Sequence, residues 1–425
     1  MNAEPKPNFM ARHRFLTVAG ILILLAIFAI ALKVGSGDIQ TDERQKALEP
    51  FYTPPSPLPA GAPGEIISQE PIEVDIPGGG QGVRILYLSQ QSDGTMVASS
   101  GMVFYPAGPA PSAERKVVAW AHPTVGMGDE CAPSRSENPI GDMSWLSEML
   151  SRGWVVTATD YAGLGTPGTE RYLVGRDEAR DVINSVRAAQ RVEAAYAGKE
   201  YAVWGHSQGG HAALFTAMES ASYAPELTLV ATAAAAPAAE LATLFSEQYQ
   251  SVVGWVIGPE VLVAWPGVYP DIPIDDVISS SGQKRYESMA NDCLAKGGDE
   301  ALIRKELGQD FFQNNPVSFP AWYSAATNET PAVLPPGQPL LIAQGLDDQV
   351  VLPNTTMLYV RSSCDAGANL TTMWFGGIGH QVAAKVSGPT VTMWLDDRFA
   401  GKPTSPTCGQ ILPVQPATPA AAPSG

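Results

Sequence analysis

The run Tyr201-Ala-Val-Trp-Gly205-His206-Ser207-Gln208-Gly209-Gly210-His211 constrains this chain more than any other stretch. It reads as an apolar strand, a Gly-x-Ser-x-Gly turn and the small-residue opening of a helix at Ala212, Ala213 and Leu214. A strand that reverses so sharply into a helix forces the serine into a strained backbone conformation, and a bulky side chain two positions to either side would collide. Gly205 and Gly209 remove those clashes. The Ser207 hydroxyl is then expected above the sheet, near the positive end of the following helix.

The surrounding chain supplies such a sheet. Val83–Ser89 and Thr95–Tyr105 read as strands joined by an Asp93-Gly94 hairpin turn. Strands at Lys116–Ala121, Trp154–Thr159 and Tyr201–Trp204 then alternate with helices at Met143–Arg152 and Glu178–Ala197, so the serine turn follows the fifth strand of this count. Thr228–Ala235, Pro339–Gln344 and Leu370–Phe375 read as three more strands. Such alternation predicts an α/β fold with a mostly parallel sheet flanked by helices. The rhythm breaks over residues 237–338, an inserted and largely helical cap carrying Trp255, Trp265, Tyr269, Phe311, Phe312, Phe319, Trp322 and Tyr323. The core is thus expected in two parts, 65–236 and 339–408.

A serine hydroxyl needs a positioned base, and the chain has five histidines. His13 lies near the N-terminus, His206 is next to the serine, His211 is in the following helix and His122 ends the third strand of the count. That leaves His380, in the flexible loop Gly376-Gly377-Ile378-Gly379-His380 directly after the last strand. The orienting carboxylate is expected on the loop after the preceding strand, where Asp347 and Asp348 compete. Asp348 is preferred for its spacing from Gly345 and Val351, which lets it reach the histidine. The order Ser207, Asp348, His380 is that of α/β-hydrolases, and differs from the two best-known serine protease orders. For a developing oxyanion, the donors expected are the Gln208 backbone N–H and Thr124 in His122-Pro123-Thr124-Val125-Gly126, since Pro123 has no N–H. Val125 is the alternative to Thr124.

Apolar residues make up 45% and charged residues 16% of the 425, which fits a globular protein and excludes a wholly disordered or coiled-coil chain. The formal net charge is −17, which argues against nucleic acid as a partner. The N-terminal 34 residues run the other way, with Lys6, Arg12, Arg14 and Lys33 against Glu4 alone. They contain an uncharged, mostly apolar run of 18 residues, Phe15–Leu32, preceded by Arg12-His13-Arg14. Residues 1–34 therefore read as an export signal, cleaved near Ala29-Ile30-Ala31 or retained as a membrane anchor across 15–32. Residues 35–64 read as an extended Pro-rich arm and 409–425 as a flexible Pro/Ala-rich tail. In an exported body, Cys131, Cys293, Cys364 and Cys408 fit two disulfides better than metal ligands. Three connectivities are open; Cys131–Cys293 with Cys364–Cys408 is favoured because the second bond would staple the C-terminal segment to a nearby loop.

From Phe51 to Cys408 the sequence resembles the secretory lipases, exported α/β-hydrolases with an inserted cap. The residues that carry the resemblance are Phe51-Tyr-Thr-Pro-Pro, His122-x-Thr-x-Gly, Cys131-Ala-Pro-Ser134, Asp160-Tyr161-x-Gly163-Leu-Gly165, Arg187-Ala188-Ala189, the Gly-His-Ser-Gln-Gly turn, Gly345-x-x-Asp348-x-x-Val351 and Gly379-His380. Pro123 departs from the glycine that many relatives place there. The resemblance implies a triad of Ser207, Asp348 and His380, the disulfide pairing just given, and lipase-like hydrolysis of acylglycerols without metal or organic cofactor. Short-chain or aryl esters, transfer to an acceptor alcohol, and peptide bonds are other substrates such a serine could serve. The reading from a different class is a non-catalytic surface protein that uses the same scaffold for binding.

Overall fold

The computed structural model describes residues 41–423 apart from 77 and 412. The expected export signal or anchor, including 15–32, lies outside the described residues. Among those described, no helix is long and apolar enough to cross a membrane. The chain divides into two units, 1–51 and 52–425. In the first, the described residues 41–51 are all helical, part of α1, which ends at 52. This corrects the expected extended arm. Arg44 to Glu49 are mostly good helix formers, while Pro50 falls in the last turn and Pro54-Pro55 come after it.

The second unit is built on a nine-stranded sheet in the order β1-β2-β3-β5-β4-β6-β7-β8-β9. β1 (Ile66–Pro71), β2 (Gln81–Gln90) and β3 (Met96–Tyr105) are antiparallel, and the Asp93-Gly94 turn joins the latter two. β4 (Arg115–Ala121), β5 (Val155–Thr159), β6 (Ala197–His206), β7 (Thr228–Ala235), β8 (Leu340–Gly345) and β9 (Leu370–Phe375) run parallel. β1 is short and its IISQEP sequence is half polar, as suits an edge strand covered on one side only, so alternation did not reveal it. With β1 counted, the serine turn follows the sixth strand and His122 the fourth.

Side chains of β6 alternate between the two layers of the core. Trp204 meets Trp120 and Trp145 on one face, where α2 (Leu146–Ser151) and α13 (Ala383–Phe399) pack. Tyr201 and Val203 face the other, against α3 (Gly175–Ala189) and α4 (Gln208–Tyr223). α3 stops earlier than its sequence suggests because a 3-10 turn at Glu193–Ala195 and a left-handed Tyr196 (φ 51°) lead the chain back into β6. α12 (Pro353–Asp365) covers β8 and β9.

Between β7 and β8 lies the cap. It comprises α5 (Leu241–Gln248), α6 (Val252–Ala264), α7 (Ile274–Val277), α8 (Ser280–Gln283), α9 (Tyr286–Asn291), α10 (Leu294–Glu306) and α11 (Pro320–Asn328). Its aromatic residues mostly form its own core. Trp265 stacks on Trp322 at 5.8 Å and Trp255 meets Phe311 at 5.3 Å. The cap is fastened to the loop after β4 by backbone bonds from Met127 to Ala290 (2.7 Å) and from Leu294 to Val125 (2.8 Å). A Cys131–Cys293 disulfide closes the same contact. Gly126 has φ +97°, and a Cβ there would lie 2.3 Å from the Asp292 carbonyl oxygen, so the two segments touch backbone to backbone.

The second disulfide is Cys364–Cys408. Beyond it the segment expected to be a free tail lies along the body. Ala417 N–H donates to Asn354 O (2.9 Å) and Ala420 N–H to Thr243 Oγ1 (3.2 Å), while Val414 packs on the α12 side of the core. Composition shows that this segment lacks regular structure but not that its backbone finds partners.

Cys293→Ala is expected to lower unfolding stability by about 2–4 kcal/mol, read as a lower urea midpoint, because the bond closes a long loop. It should also speed proteolysis within α9 and α10. An unchanged midpoint would show that the two backbone bonds hold the cap alone.

Candidate active site

β6 ends at His206 and α4 begins at Gln208, leaving Ser207 to make the reversal at φ 57°, ψ −117°. The two flanking glycines are required by contact: a Cβ on Gly205 would sit 1.9 Å from Gly209 O, and one on Gly209 would sit 1.9 Å from Ala121 O. Ser207 N–H donates to Ala235 O of β7 (2.9 Å), which ties the turn to the neighbouring strand.

Ser207 Oγ lies 2.9 Å from His380 Nε2, and His380 Nδ1 lies 2.8 Å from Asp348 Oδ2. These three residues, expected together from sequence, are brought together from three segments. Asp348 is fully buried; its Oδ1 accepts from the N–H groups of Val350 (2.9 Å) and Val351 (3.0 Å), and its Oδ2 from Gln344 Nε2 (3.1 Å). Asp347, its competitor, is exposed. The His380 loop is pressed against the end of β8, where a Cβ on Gly345 would meet Ile378 O at 2.2 Å.

The other described histidines have different partners. His206 Nε2 donates to His380 O (3.0 Å), and its ring packs on the His380 ring at 4.9 Å. Burial and the neighbouring His380 push its pKa down to about 3, so it stays neutral. His122 lies within hydrogen-bond distance of the carbonyls of Pro123 and Asp160. His211 is buried between Glu178 (3.2 Å) and Glu329 O (2.7 Å); burial alone would lower its pKa, but these acceptors lift it above the ordinary value.

Thr124 and Gln208 both border Ser207. The Thr124 side chain lines the same cleft and its Oγ1 is 2.7 Å from Tyr172 Oη. The Gln208 side chain turns inward, donating to Glu170 (2.8 Å) and Glu178 (2.9 Å), which fixes the first turn of α4. Tyr52, Ser134 and Asp160, three of the residues quoted for the resemblance, form a second network with Ser100. Tyr52 Oη meets Ser134 Oγ at 2.6 Å, Ser134 Oγ bonds Asp160, and Ser100 Oγ donates to Asp160 at 2.6 Å.

Sequence reasoning missed the buried acids around this centre: Glu170, Glu178, Asp181, Glu260 and Glu329. An acid in a helix or loop looks the same in sequence whether solvated or buried. Burial raises the Glu170 carboxyl to about 8 and that of Asp181 to about 7.

Ser207 stands where two cavities meet. One is an apolar slot of about 60 Å³ running under the cap between Leu244, Phe245, Ile257, Phe312 and Val351. The other is a wider cleft of about 530 Å³ bordered by Thr124, His380 and the α10 residues Leu294 and Leu302. Among the described residues no group of His, Cys, Asp and Glu is arranged to hold a metal.

The profile of the secretory lipase family matches residues 140–407. The chain belongs to the secretory lipase family. As such it is a carboxylic ester hydrolase. This secretory lipase is 25% identical to the secreted triacylglycerol lipase LIP7 of Malassezia globosa, over 96% of this chain and 91% of that protein. It is 25% identical to Lipase 5 of Candida albicans, over 85% and 83%. A Mycobacterium tuberculosis protein named "Probable inactive lipase MT1628" is 26% identical over 84% and 82%. Among solved structures, Candida antarctica lipase A superposes with a TM-score of 0.67 at 20% identity, covering 86% of this chain and 89% of that one. The rice cell wall degrading esterase LipA of Xanthomonas oryzae gives 0.67 at 19%, covering 80% and 100%. These two show the α/β-hydrolase fold. The two disulfides of this secretory lipase agree with an exported protein.

Acids with raised pKa hold protons in the folded state that they release on unfolding near pH 4. The folded form therefore binds more protons between about pH 4 and 8, and stability falls as pH rises through that window. The melting temperature is expected to drop from pH 5 to pH 8. Glu170→Gln should flatten the drop; an equally steep fall in that variant would assign it to other groups.

Proposed function

We propose that Ser207 is the nucleophile of an acyl-transfer cycle that cleaves acylglycerols, with His380 as general base and then general acid and Asp348 as its orienting carboxylate. The observation that carries this reading is the unbroken chain from Ser207 Oγ to His380 Nε2 at 2.9 Å and from His380 Nδ1 to Asp348 at 2.8 Å, at the meeting point of both cavities. His380 takes the Ser207 proton as Oγ attacks the ester carbonyl carbon, and the negative charge moves to the carbonyl oxygen. The Gln208 N–H and Thr124 receive that oxyanion. His380 then passes its proton to the leaving alcohol, and water, deprotonated by the same histidine, releases the acid from Ser207. The apolar slot suits an acyl chain and the wider cleft suits the alcohol, which keeps the polar product on the open side.

The narrowness of the slot favours a second reading, an esterase for short or aryl acyl groups. Hydrolysis of p-nitrophenyl esters from acetate to palmitate and of emulsified triglyceride decides between them. The acylglycerol reading expects activity that extends to long chains and to triglyceride, whereas activity confined to short chains supports the narrow esterase. Ser207→Ala and His380→Ala are each expected to lower kcat by about 10⁴-fold or more. If no ester is cleaved and a fluorophosphonate leaves Ser207 unlabelled, the binding-protein alternative replaces both.

A further inference from the structure

Gln248, the last residue of α5, is 8% exposed and lines the apolar slot beside Leu244 and Phe245. An apolar side chain would suit such a wall at lower cost, because a buried amide must find partners for its polar atoms. Its partners lie across from the cap, in the loop between β8 and α12. Gln248 Nε2 donates to the carbonyls of Gln349 (2.8 Å) and Val350 (3.0 Å). Both are pure acceptors, which fixes the amide with its nitrogen toward the loop. Among the described residues, no backbone N–H is bonded to either carbonyl.

The same loop carries Asp348. The Gln349 carbonyl and the Val350 N–H belong to one peptide group, and the Val350 carbonyl and the Val351 N–H belong to the next. Those two N–H groups are the donors to Asp348 Oδ1, at 2.9 and 3.0 Å. Two peptide groups therefore hold Asp348 with one edge while Gln248 grips the other. A peptide group is planar and trans, so its C=O and N–H point in opposite directions and turn together. Rotating either plane away from Gln248 rotates its N–H away from the aspartate. Donation to the carbonyl also polarises the N–H on the far edge, which strengthens its bond to the carboxylate.

The core alone holds this loop less completely. Gln344 Nε2, with two hydrogens, faces three acceptors: Gly345 O (3.1 Å), Asp348 Oδ2 (3.1 Å) and Val351 O (3.2 Å). Its Oε1 is taken by the Thr356 hydroxyl at 2.7 Å, so the amide cannot turn to serve the carbonyls of 349 and 350. Those two are left to the cap. Val350 borders both cavities, as Ser207 does, so the gripped segment lies at the site itself.

We infer that Gln248 is a positioning residue by which the cap sets the two peptide planes that aim Asp348 at His380, so that the insertion takes part in assembling the triad. This rests on the acyl-transfer reading above and names what the cap contributes to it.

The test measures kcat and KM for p-nitrophenyl butyrate in the full chain, in Gln248→Met, in Asp348→Ala and in the double variant, with melting temperatures recorded and enzyme in excess for the slow variants. Methionine matches glutamine in length and is apolar. If Gln248 merely lined the slot, Gln248→Met would keep kcat and lower KM. The positioning role expects kcat to fall by about tenfold or more, short of the roughly 10⁴ that loss of the orienting carboxylate itself costs. KM is expected to stay within about twofold, the pattern of an interaction made in the transition state. Because the effect runs through Asp348, Gln248→Met should add less than about twofold in the Asp348→Ala background. A Gln248→Met variant with the parent's kcat, a change in KM alone, or the same loss repeated in full on Asp348→Ala overturns the inference. Gln248→Leu, also without a donor, decides in the same way if Gln248→Met does not fold. Asp348→Ala separates the two failures: the parent's kcat in that variant removes the triad reading, whereas a slow Asp348→Ala beside an unimpaired Gln248→Met removes only the role of Gln248.

Discussion

The contact between Gly209 and the carbonyl of Ala121 sets the terms for the rest of the molecule. It lets the first turn of α4 rest on the end of β4 with no side chain between, and that closeness is what turns Ser207 out of the sheet at a positive φ. Once the serine is placed there, the loops after β8 and β9 are the parts of the scaffold that can reach it from the same edge, and the loop after β4 comes to its other side. A parallel sheet with all its loops for one purpose at one edge makes this possible with ordinary strand and helix geometry. At the turn itself the backbone strain falls on Ser207.

Much of this is legible in the sequence because it follows from backbone sterics and from chain order. Gly-x-Ser-x-Gly after an apolar strand has few structural solutions, and His380 and Asp348 each follow a strand at a turn glycine. The edge strand β1 is not legible, since half of its residues are polar and its alternation carries little signal. α1 is obscured by prolines that end the helix rather than prevent it. The C-terminal segment looks free by composition because its hold on Asn354 and Thr243 runs through backbone N–H groups, which every residue except proline owns.

The buried acids are the part of the site that sequence hides most completely. Gln208, His211, Gly175 and Leu173 all turn donors toward Glu170, Glu178 or Glu329, so the first turn of α4 and the start of α3 share one set of carboxyls. Such a network rigidifies the ground beneath the serine while leaving the serine itself on the apolar side. Its acids come from both core and cap, which means that polar satisfaction in the core depends on the insertion being in place.

The backbone pairing of residues 125–128 with 290–294, closed by Cys131–Cys293, has an implication for how this protein could be altered. The cap looks like a module between two strands, and a natural design move would be to graft another one between Ala235 and Leu340. The pairing makes the loop after β4 half of the cap's own anchorage. A transplanted insertion would have to travel with residues 123–131 as a matched second cassette, although the two pieces are separated in the gene by three strands.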